Sequence, residues 1–113
     1  MPEAIVIVTR LMKDQLEVLV SRPLGPEMSF PTALLQAGEH PCEGALRALD
    51  AALGSDACQA FRKLTTTPAH RHYFQASPEL ADDTLPAGST WTRVAEARAA
   101  LSPDDARVLA ALD

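Results

Sequence analysis

The chain has 113 residues, 47% of them hydrophobic, and a formal net charge of −5. This length fits one domain over residues 1–113, because it leaves no room for a second core of useful size. Proteins that bind nucleic acid or anionic membranes usually carry a basic surface, which this acidic composition does not supply. No apolar run approaches the roughly 20 residues of a membrane span. We therefore expect a cytoplasmic protein that binds neither nucleic acid nor membranes.

Alanine and cysteine indicate how the core is built. Twenty of the 113 residues are alanine, and each methyl group buries little area, so we expect a close-packed core of small residues. The spacing of Cys42 and Cys58 fits neither a CxxC redox pair nor a zinc knuckle. We expect both thiols to be reduced and to behave as small hydrophobic residues.

Four segments have the composition of β-strands. Ala4–Arg10 is a β-branched run of the kind found in strands buried on both faces. Gln15–Arg22 alternates apolar and polar residues, which predicts a hairpin partner for the first strand. A short strand is expected within Met28–Gln36, and another over residues 70–76, before Ser77 and Pro78.

Three segments have the composition of helices. Cys42–Leu53 is the best marked, because Pro41 suits the first helical turn and Gly54 suits the left-handed cap after the last. Val94–Leu101 has helical character, and Asp104–Leu112 follows a strong N-terminal signature. Strands and helices in this order, with a mixed sheet, predict an α+β or α/β fold.

The predicted helix at 42–53 presents three faces at about 100° per residue. One face is a charged stripe formed by Glu43, Arg47 and Asp50. A second face is apolar and is expected to dock on the sheet through Cys42, Leu46, Leu49 and Leu53. The third face carries nothing larger than a methyl group, at Gly44, Ala48, Ala51 and Ala52. That bare face allows close approach of another backbone, or it reflects the high helix propensity of alanine.

The segment Phe30–Gly54 resembles the Nudix box and the loop before it, whose pattern is G-x5-E-x7-R-E-U-x-E-E-x-G-U, where U is aliphatic. Placing Glu39 on the first glutamate puts Arg47 on the arginine and Gly54 on the final glycine without a gap. Gly38 is retained beside Glu39. The strand ending in Arg22, the later aromatic strand and the ending after Trp91 are also similar to the family pattern. The resemblance implies an α+β fold, the Nudix α/β/α sandwich with a mixed sheet, over the whole chain.

The chain departs from the box at the positions that carry its chemistry. In the family, the glutamate after the arginine and the later glutamate pair hold Mg²⁺ or Mn²⁺ against a diphosphate. Here those positions are Ala48, Ala51 and Ala52, and a methyl group cannot ligate a hard cation that prefers oxygen. Ala33 and Ser55 also depart from the pattern. We expect no metal cofactor, and Mg²⁺ or Mn²⁺ only if the chain is nevertheless a hydrolase.

Other carboxylates are poor replacements for the missing glutamates. Glu43 and Asp50 lie on the charged stripe, turned away from the bare face. The resemblance implies that Glu39 pairs with Arg47 and shapes the loop rather than acting as a base. Some Nudix enzymes place an extra catalytic acid in a later loop, and the acids at the similar place here are Glu79, Asp82 and Asp83. Such an acid would still lack a metal.

Several further residues are candidates for a binding site. Arg10, Arg22 and Arg71 come from three predicted strands and would bind substrate if they converge in the cleft, although arginine is more often a surface residue. Trp91 would stack on a base or anchor the C-terminal helices.

Histidines are the remaining candidates. His70 and His72 would share one face of a strand and could form a metal site with His40. The alternative is a half-exposed pair without a ligand, which is the commoner role for a His-x-His strand.

The sequence therefore predicts a Nudix-fold protein that lacks the metal-dependent pyrophosphohydrolase chemistry and acts as a nucleotide-binding or interaction module. One alternative is a divergent Nudix hydrolase that cleaves a nucleoside diphosphate-linked substrate. Another is a structural subunit whose bare helix face and first strand form a homodimer.

Overall fold

The first two strands form a hairpin at the centre of the molecule. The computed structural model describes residues 2–21, 29–53, 58–68, 70–78 and 89–110. Strand β1 spans Glu3–Met12 and pairs antiparallel with β2, Gln15–Ser21. The two residues between them, Lys13 and Asp14, both have positive φ, as a tight two-residue hairpin turn requires. The hairpin predicted from the alternating residues is confirmed.

Within the described residues, four more strands join the hairpin in a mixed six-stranded sheet. They are β3 (Thr32–Leu34), β4 (Cys58–Thr66), β5 (Arg71–Pro78) and β6 (Ser89–Arg93). The sheet order is β4-β5-β1-β2-β6, with β3 paired to β1. The β1–β5 pair is parallel and the other pairs are antiparallel. Both β3 and β5 lie where the sequence predicts them.

Helices cover both faces of this sheet. Helix α1 spans Pro41–Leu53, α2 Val94–Ala100 and α3 Pro103–Ala110, which confirms the three predicted helices. Alternate residues of β1 serve two separate cores: Ala4, Val6 and Val8 face α1, whereas Ile5 and Ile7 face α2 and α3. The α+β class with a mixed sheet is therefore confirmed. None of the helices described is long and apolar enough to cross a membrane.

The docking face predicted for α1 is wrong for two of its members. Cys42 and Leu46 are exposed, Leu46 to 47%, whereas Leu49 is buried as predicted. The helix instead packs its small residues Gly44, Ala45 and Ala48 toward the sheet. A Cβ atom built on Gly44 would collide with the side chain of Leu35 and touch the methyl group of Ala4. The close approach of helix and strand therefore requires small residues on the inner face. The Leu53 side chain lies outside what the structure describes.

This packing buries part of the surface suggested for a homodimer, although Ala51 stays exposed. Gly44 and Ala48 are buried against the chain's own sheet. Strand β1 is a central strand, and its residues 4–8 are fully buried. A dimer built on the inner half of the bare helix face and on β1 is therefore not available to the folded chain.

Candidate functional site

An ion pair joins the loop before α1 to the helix itself. Arg47 donates from Nη2 to Oε1 of Glu39 at 2.7 Å and from Nε to Oε2 at 3.2 Å. The same Nη2 also donates to the backbone carbonyl of Leu34 at 2.8 Å. The backbone N–H of Gln36 donates to Oε1 of Glu39 at 3.0 Å. The predicted Glu39–Arg47 contact is thus present, and it fixes the loop from residue 34 to 39 against α1.

The electrostatics of this pair match its geometry. The hydrogen bonds from Arg47 and then from the backbone of Gln36 lower the pKa of Glu39 below its ordinary value. A carboxylate that accepts two charge-assisted bonds and one backbone bond is held in its ionised form. Such a group is a poor proton acceptor, so the structure favours a loop-shaping role for Glu39 over that of a general base.

A cleft of about 550 Å³ opens between this loop and α1. Its lining includes Ala33, Leu35 and Gln36 on the loop side and Arg47, Ala48 and Ala51 on the helix side. Ala48 is only 5% exposed, whereas Ala51 is exposed. Ala52 lies within α1, but its side chain is outside what the structure describes, as are Gly54 and Ser55. The methyl groups of Ala48 and Ala51 thus form one wall of an open cleft.

The residues around this cleft do not fit a divalent metal ion. Over the described ranges, no three His, Cys, Asp or Glu side chains lie close enough together to hold one. Glu43 and Asp50 are exposed on the outer side of α1. The acids considered as an additional catalytic group, Glu79, Asp82 and Asp83, lie outside the described residues. Mg²⁺ needs oxygen ligands, whereas the described part of α1 presents the methyl groups of Ala48 and Ala51 to the cleft.

Two of the three candidate arginines lie far apart, and the third, Arg22, is outside the described residues. Arg10 faces the α1 side of the sheet, where its Nε donates to Glu17 at 2.8 Å. Arg71 faces α3 on the opposite side, level with Glu3 in the parallel register. Position 10 lies seven residue steps along β1 from position 3, a distance of about 23 Å along the strand. Arg10 and Arg71 therefore do not converge on one ligand.

Trp91 belongs to the α1 side of the sheet and not to the C-terminal helices. Its ring packs against the core cluster below α1, and the guanidinium of Arg10 lies 4.4 Å from the ring centroid. The indole Nε1 is buried and has no hydrogen-bond partner among the described residues. An anchoring role toward α2 and α3 is therefore wrong, and the base-stacking role stays a prediction.

A buried polar network links β5 to α3, and the sequence did not predict it. The Tyr73 hydroxyl donates to Oδ1 of Asp105 at 2.5 Å, and Arg71 donates to the same oxygen at 2.8 Å. Arg71 Nε also donates to the Tyr73 hydroxyl at 3.1 Å, and Nη1 lies 3.4 Å from Glu3. Burial and then the bond to Asp105 raise the pKa of Tyr73. Arg71 is thus a structural residue between sheet and helix. No local pattern pairs residues 32 and 34 positions apart, so sequence reasoning had no signal for it.

The histidines do not form a metal site in the described parts of the chain. His70 precedes β5 in a positive-φ turn, so it is not a strand residue as predicted. His72 lies in β5, and its ring is hydrogen-bonded to Thr66 at 3.1 Å. Burial, then Lys63 and His70, lower the pKa of His72. His70 and His72 border a second cleft of about 490 Å³ next to Glu39, while His40 is exposed at the start of α1.

The sequence matches no protein-family model and no curated protein. Its fold, however, is similar to several solved structures. One is a Caenorhabditis elegans Ap4A hydrolase, with 16% identity, a TM-score of 0.76, and coverage of 96% of this chain and 92% of that one. Another is a Nudix hydrolase from Listeria monocytogenes, with 13% identity, a TM-score of 0.75, and coverage of 99% and 91%.

A third similar structure is the Nudix domain of NrtR from Shewanella oneidensis in complex with ADP-ribose. It shares 13% identity and a TM-score of 0.62, with coverage of 97% of this chain and 84% of that one. At these identities the likeness establishes architecture rather than activity. The agreement extends over nearly the whole of each chain, and it confirms the fold that the box-like segment implied. The chain therefore has the Nudix fold.

Proposed function

We propose that this Nudix-fold domain binds a nucleotide-type ligand that carries a diphosphate, in the cleft beside α1, and does not cleave it. The observation that carries the proposal is the chemistry of one helix face. The box-like register gives Ala48, Ala51 and Ala52 the positions of metal-binding glutamates, and the first two line the open cleft. Without carboxylates there, no metal is held to offset the phosphate charge and activate water.

The preserved loop architecture supports ligand binding. The Glu39–Arg47 pair and the bond from Arg47 to the Leu34 carbonyl keep one wall of the cleft in place. A volume of about 550 Å³ lies in the range of small-molecule sites. The NrtR Nudix domain in complex with ADP-ribose is a precedent for a nucleotide ligand on this fold.

The hydrolase alternative requires a different metal site. Mg²⁺ or Mn²⁺ would need oxygen ligands from residues beyond those that the structure describes, because the described part of the chain offers no suitable cluster. Binding without cleavage requires no metal ligands beyond the described residues.

Calorimetric titration in EDTA tests binding directly. We expect saturable binding of ADP-ribose or diadenosine tetraphosphate to the metal-free protein. Ala51→Glu would place a carboxylate in the cleft and should weaken that binding at least tenfold, because it repels the phosphates. Ala99→Glu, an exposed alanine of α2 on the other side of the sheet, adds the same charge and should leave the affinity within twofold. Absence of binding, or an equal loss in both variants, would contradict the proposal.

A further inference from the structure

A groove lies on the face of the sheet opposite α1. It is distinct from the cleft beside α1 and from the cleft at His70 and His72. It has a volume of about 560 Å³ and runs between the edge strand β4 and helix α3. The strand side carries Arg62, Leu64 and Thr65, and the helix side carries Arg107 and Val108. The groove is therefore lined by a cation on each wall and by apolar side chains.

Arg62 is held in position by a chain of hydrogen bonds. Its Nε donates to Oε1 of Gln75 at 2.8 Å, and the amide of Gln75 donates to the hydroxyl of Thr9 at 3.2 Å. Thr9 is buried and is hydrogen-bonded in turn to Ser77. These hydrogen bonds use only the Nε of Arg62. The two terminal nitrogens of Arg62 have no partner among the described residues. A guanidinium oriented in this way loses little entropy on binding.

Arg107 supplies the second cation. It is exposed on α3 and has no hydrogen-bond or ion-pair partner among the described residues. Of the two acids on α3, Asp105 is already bonded to Arg71 and Tyr73, and Asp104 is exposed three positions before Arg107. Two guanidinium groups that share one groove concentrate positive potential there, even though the whole chain is acidic. Planar guanidinium forks are suited to phosphate, sulfonate and carboxylate groups.

The apolar side chains of the groove indicate that its ligand has an apolar part as well as an anionic group. Leu64 and Val108 are partly buried and pack against the core below α2 and α3. Both side chains also line the groove. We infer that this groove binds a small organic anion whose apolar body rests on Leu64 and Val108 and whose anionic group lies between Arg62 and Arg107. This site is independent of the proposed nucleotide cleft.

The aromatic sulfonate 8-anilinonaphthalene-1-sulfonate has this chemistry and reports binding by fluorescence. At constant ionic strength we expect saturable binding with one site per chain. Arg62→Glu and Arg107→Glu should each weaken it at least tenfold. Lys63→Glu is the matched control, because Lys63 is exposed on the same strand but pairs with Phe74 on the α1 side of the sheet, and it should change the affinity less than twofold.

Amide chemical shifts of the titrated protein locate the probe. The inference requires the largest changes at Thr65, Thr66 and Val108, and an unchanged affinity in the Ala51→Glu variant. It would be overturned by largest changes at Ala48 and Ala51, by equal weakening in all three charge variants, or by the lack of saturable binding. A nucleotide bound beside α1 does not change these outcomes. The experiment therefore tests the groove independently of the proposed nucleotide cleft.

Discussion

At the scale of single residues, two polar contacts determine how the loops and helices meet the sheet. Glu39 and Arg47 join the loop to α1 on one side, with Arg47 also capping the Leu34 carbonyl. Tyr73 and Asp105 join β5 to α3 on the other side. The contact between Glu39 and Arg47 is predictable from the sequence, because the two residues have the eight-position spacing of the glutamate and arginine in the box-like pattern. The second contact could not be predicted, because it joins distant parts of the chain.

The buried Tyr73 hydroxyl should contribute measurably to stability. Tyr73→Phe removes a donor to Asp105 and an acceptor for Arg71 in a fully buried place. We expect the free energy of unfolding to fall by about 1–3 kcal/mol in urea denaturation. Thr66→Val removes an exposed hydroxyl whose hydrogen bond to the His72 ring competes with water, and it should cost less than about 0.5 kcal/mol. Equal effects of the two substitutions would contradict the role given to the network.

The Glu39–Arg47 pair should make stability depend on pH in the acid range. Because the pKa of Glu39 is lowered in the folded chain, the carboxylate stabilises the fold fully above its ordinary value of 4.5. That contribution is lost as the pH falls through the lowered folded value. The difference in Tm between the wild type and Glu39→Gln should therefore be constant near neutral pH and shrink below pH 4.5. A difference that grows on acidification would contradict this assignment.

At the scale of elements, the sequence predicted those with strong periodicity or clear caps. The central hairpin and α1 are of this kind, since β-branched runs and the Pro41 and Gly54 signals are local. Strands β4 and β6 were not predicted as strands. β4 is an edge strand with neighbouring charges at Arg62 and Lys63 and an irregular register, so it lacks the alternation that marks a half-buried strand. β6 is only five residues long.

Side-chain size is a poor guide to the inner face of α1, so the docking face predicted from its larger residues is wrong for Cys42 and Leu46. A close approach between helix and strand reverses that expectation, since only Gly44, Ala45 and Ala48 fit there. The pattern alone does not give the distance between two elements. For the same reason the cleft beside Ala48 and Ala51 could be proposed from the sequence only as a surface, and not as a shape.

Two leucines of α1 test this orientation with identical chemistry. Leu49 is 3% exposed and Leu46 is 47% exposed. Leu49→Ala should lower the free energy of unfolding by about 2–5 kcal/mol, as expected for truncation of a buried leucine. Leu46→Ala should change it by less than about 0.5 kcal/mol. Chemical denaturation measures both losses. A larger loss of stability for Leu46→Ala than for Leu49→Ala would contradict the orientation of α1 in the structure.

At the scale of the whole molecule, one sheet separates two surfaces with different chemistry. The α1 side holds the cleft with the substituted box positions, and the α3 side holds the groove between two arginines. The proposed ligand cleft thus lies beside α1, where the described side chains offer no cluster of metal ligands.

Restoring single glutamates should separate packing from chemistry on α1. Ala48→Glu would bury a carboxylate against the sheet, and we expect a loss of more than about 2 kcal/mol in unfolding free energy. Ala51→Glu lies at the exposed end of the cleft and should cost less than about 0.5 kcal/mol. Thermal and urea denaturation measure both. A stable Ala48→Glu variant would show that the face is more open than the structure indicates.

The most direct test of the central claim is ³¹P NMR of ADP-ribose incubated with the protein and Mg²⁺, with the Mn²⁺ reaction assayed by chromatography because paramagnetic Mn²⁺ broadens phosphate resonances. Binding without cleavage predicts diphosphate resonances that broaden or shift but keep their total intensity, with no monophosphate signals. The contradicting result is the appearance of AMP and ribose 5-phosphate at a rate that Glu39→Gln lowers, since a contaminating enzyme would not respond to a substitution in this chain.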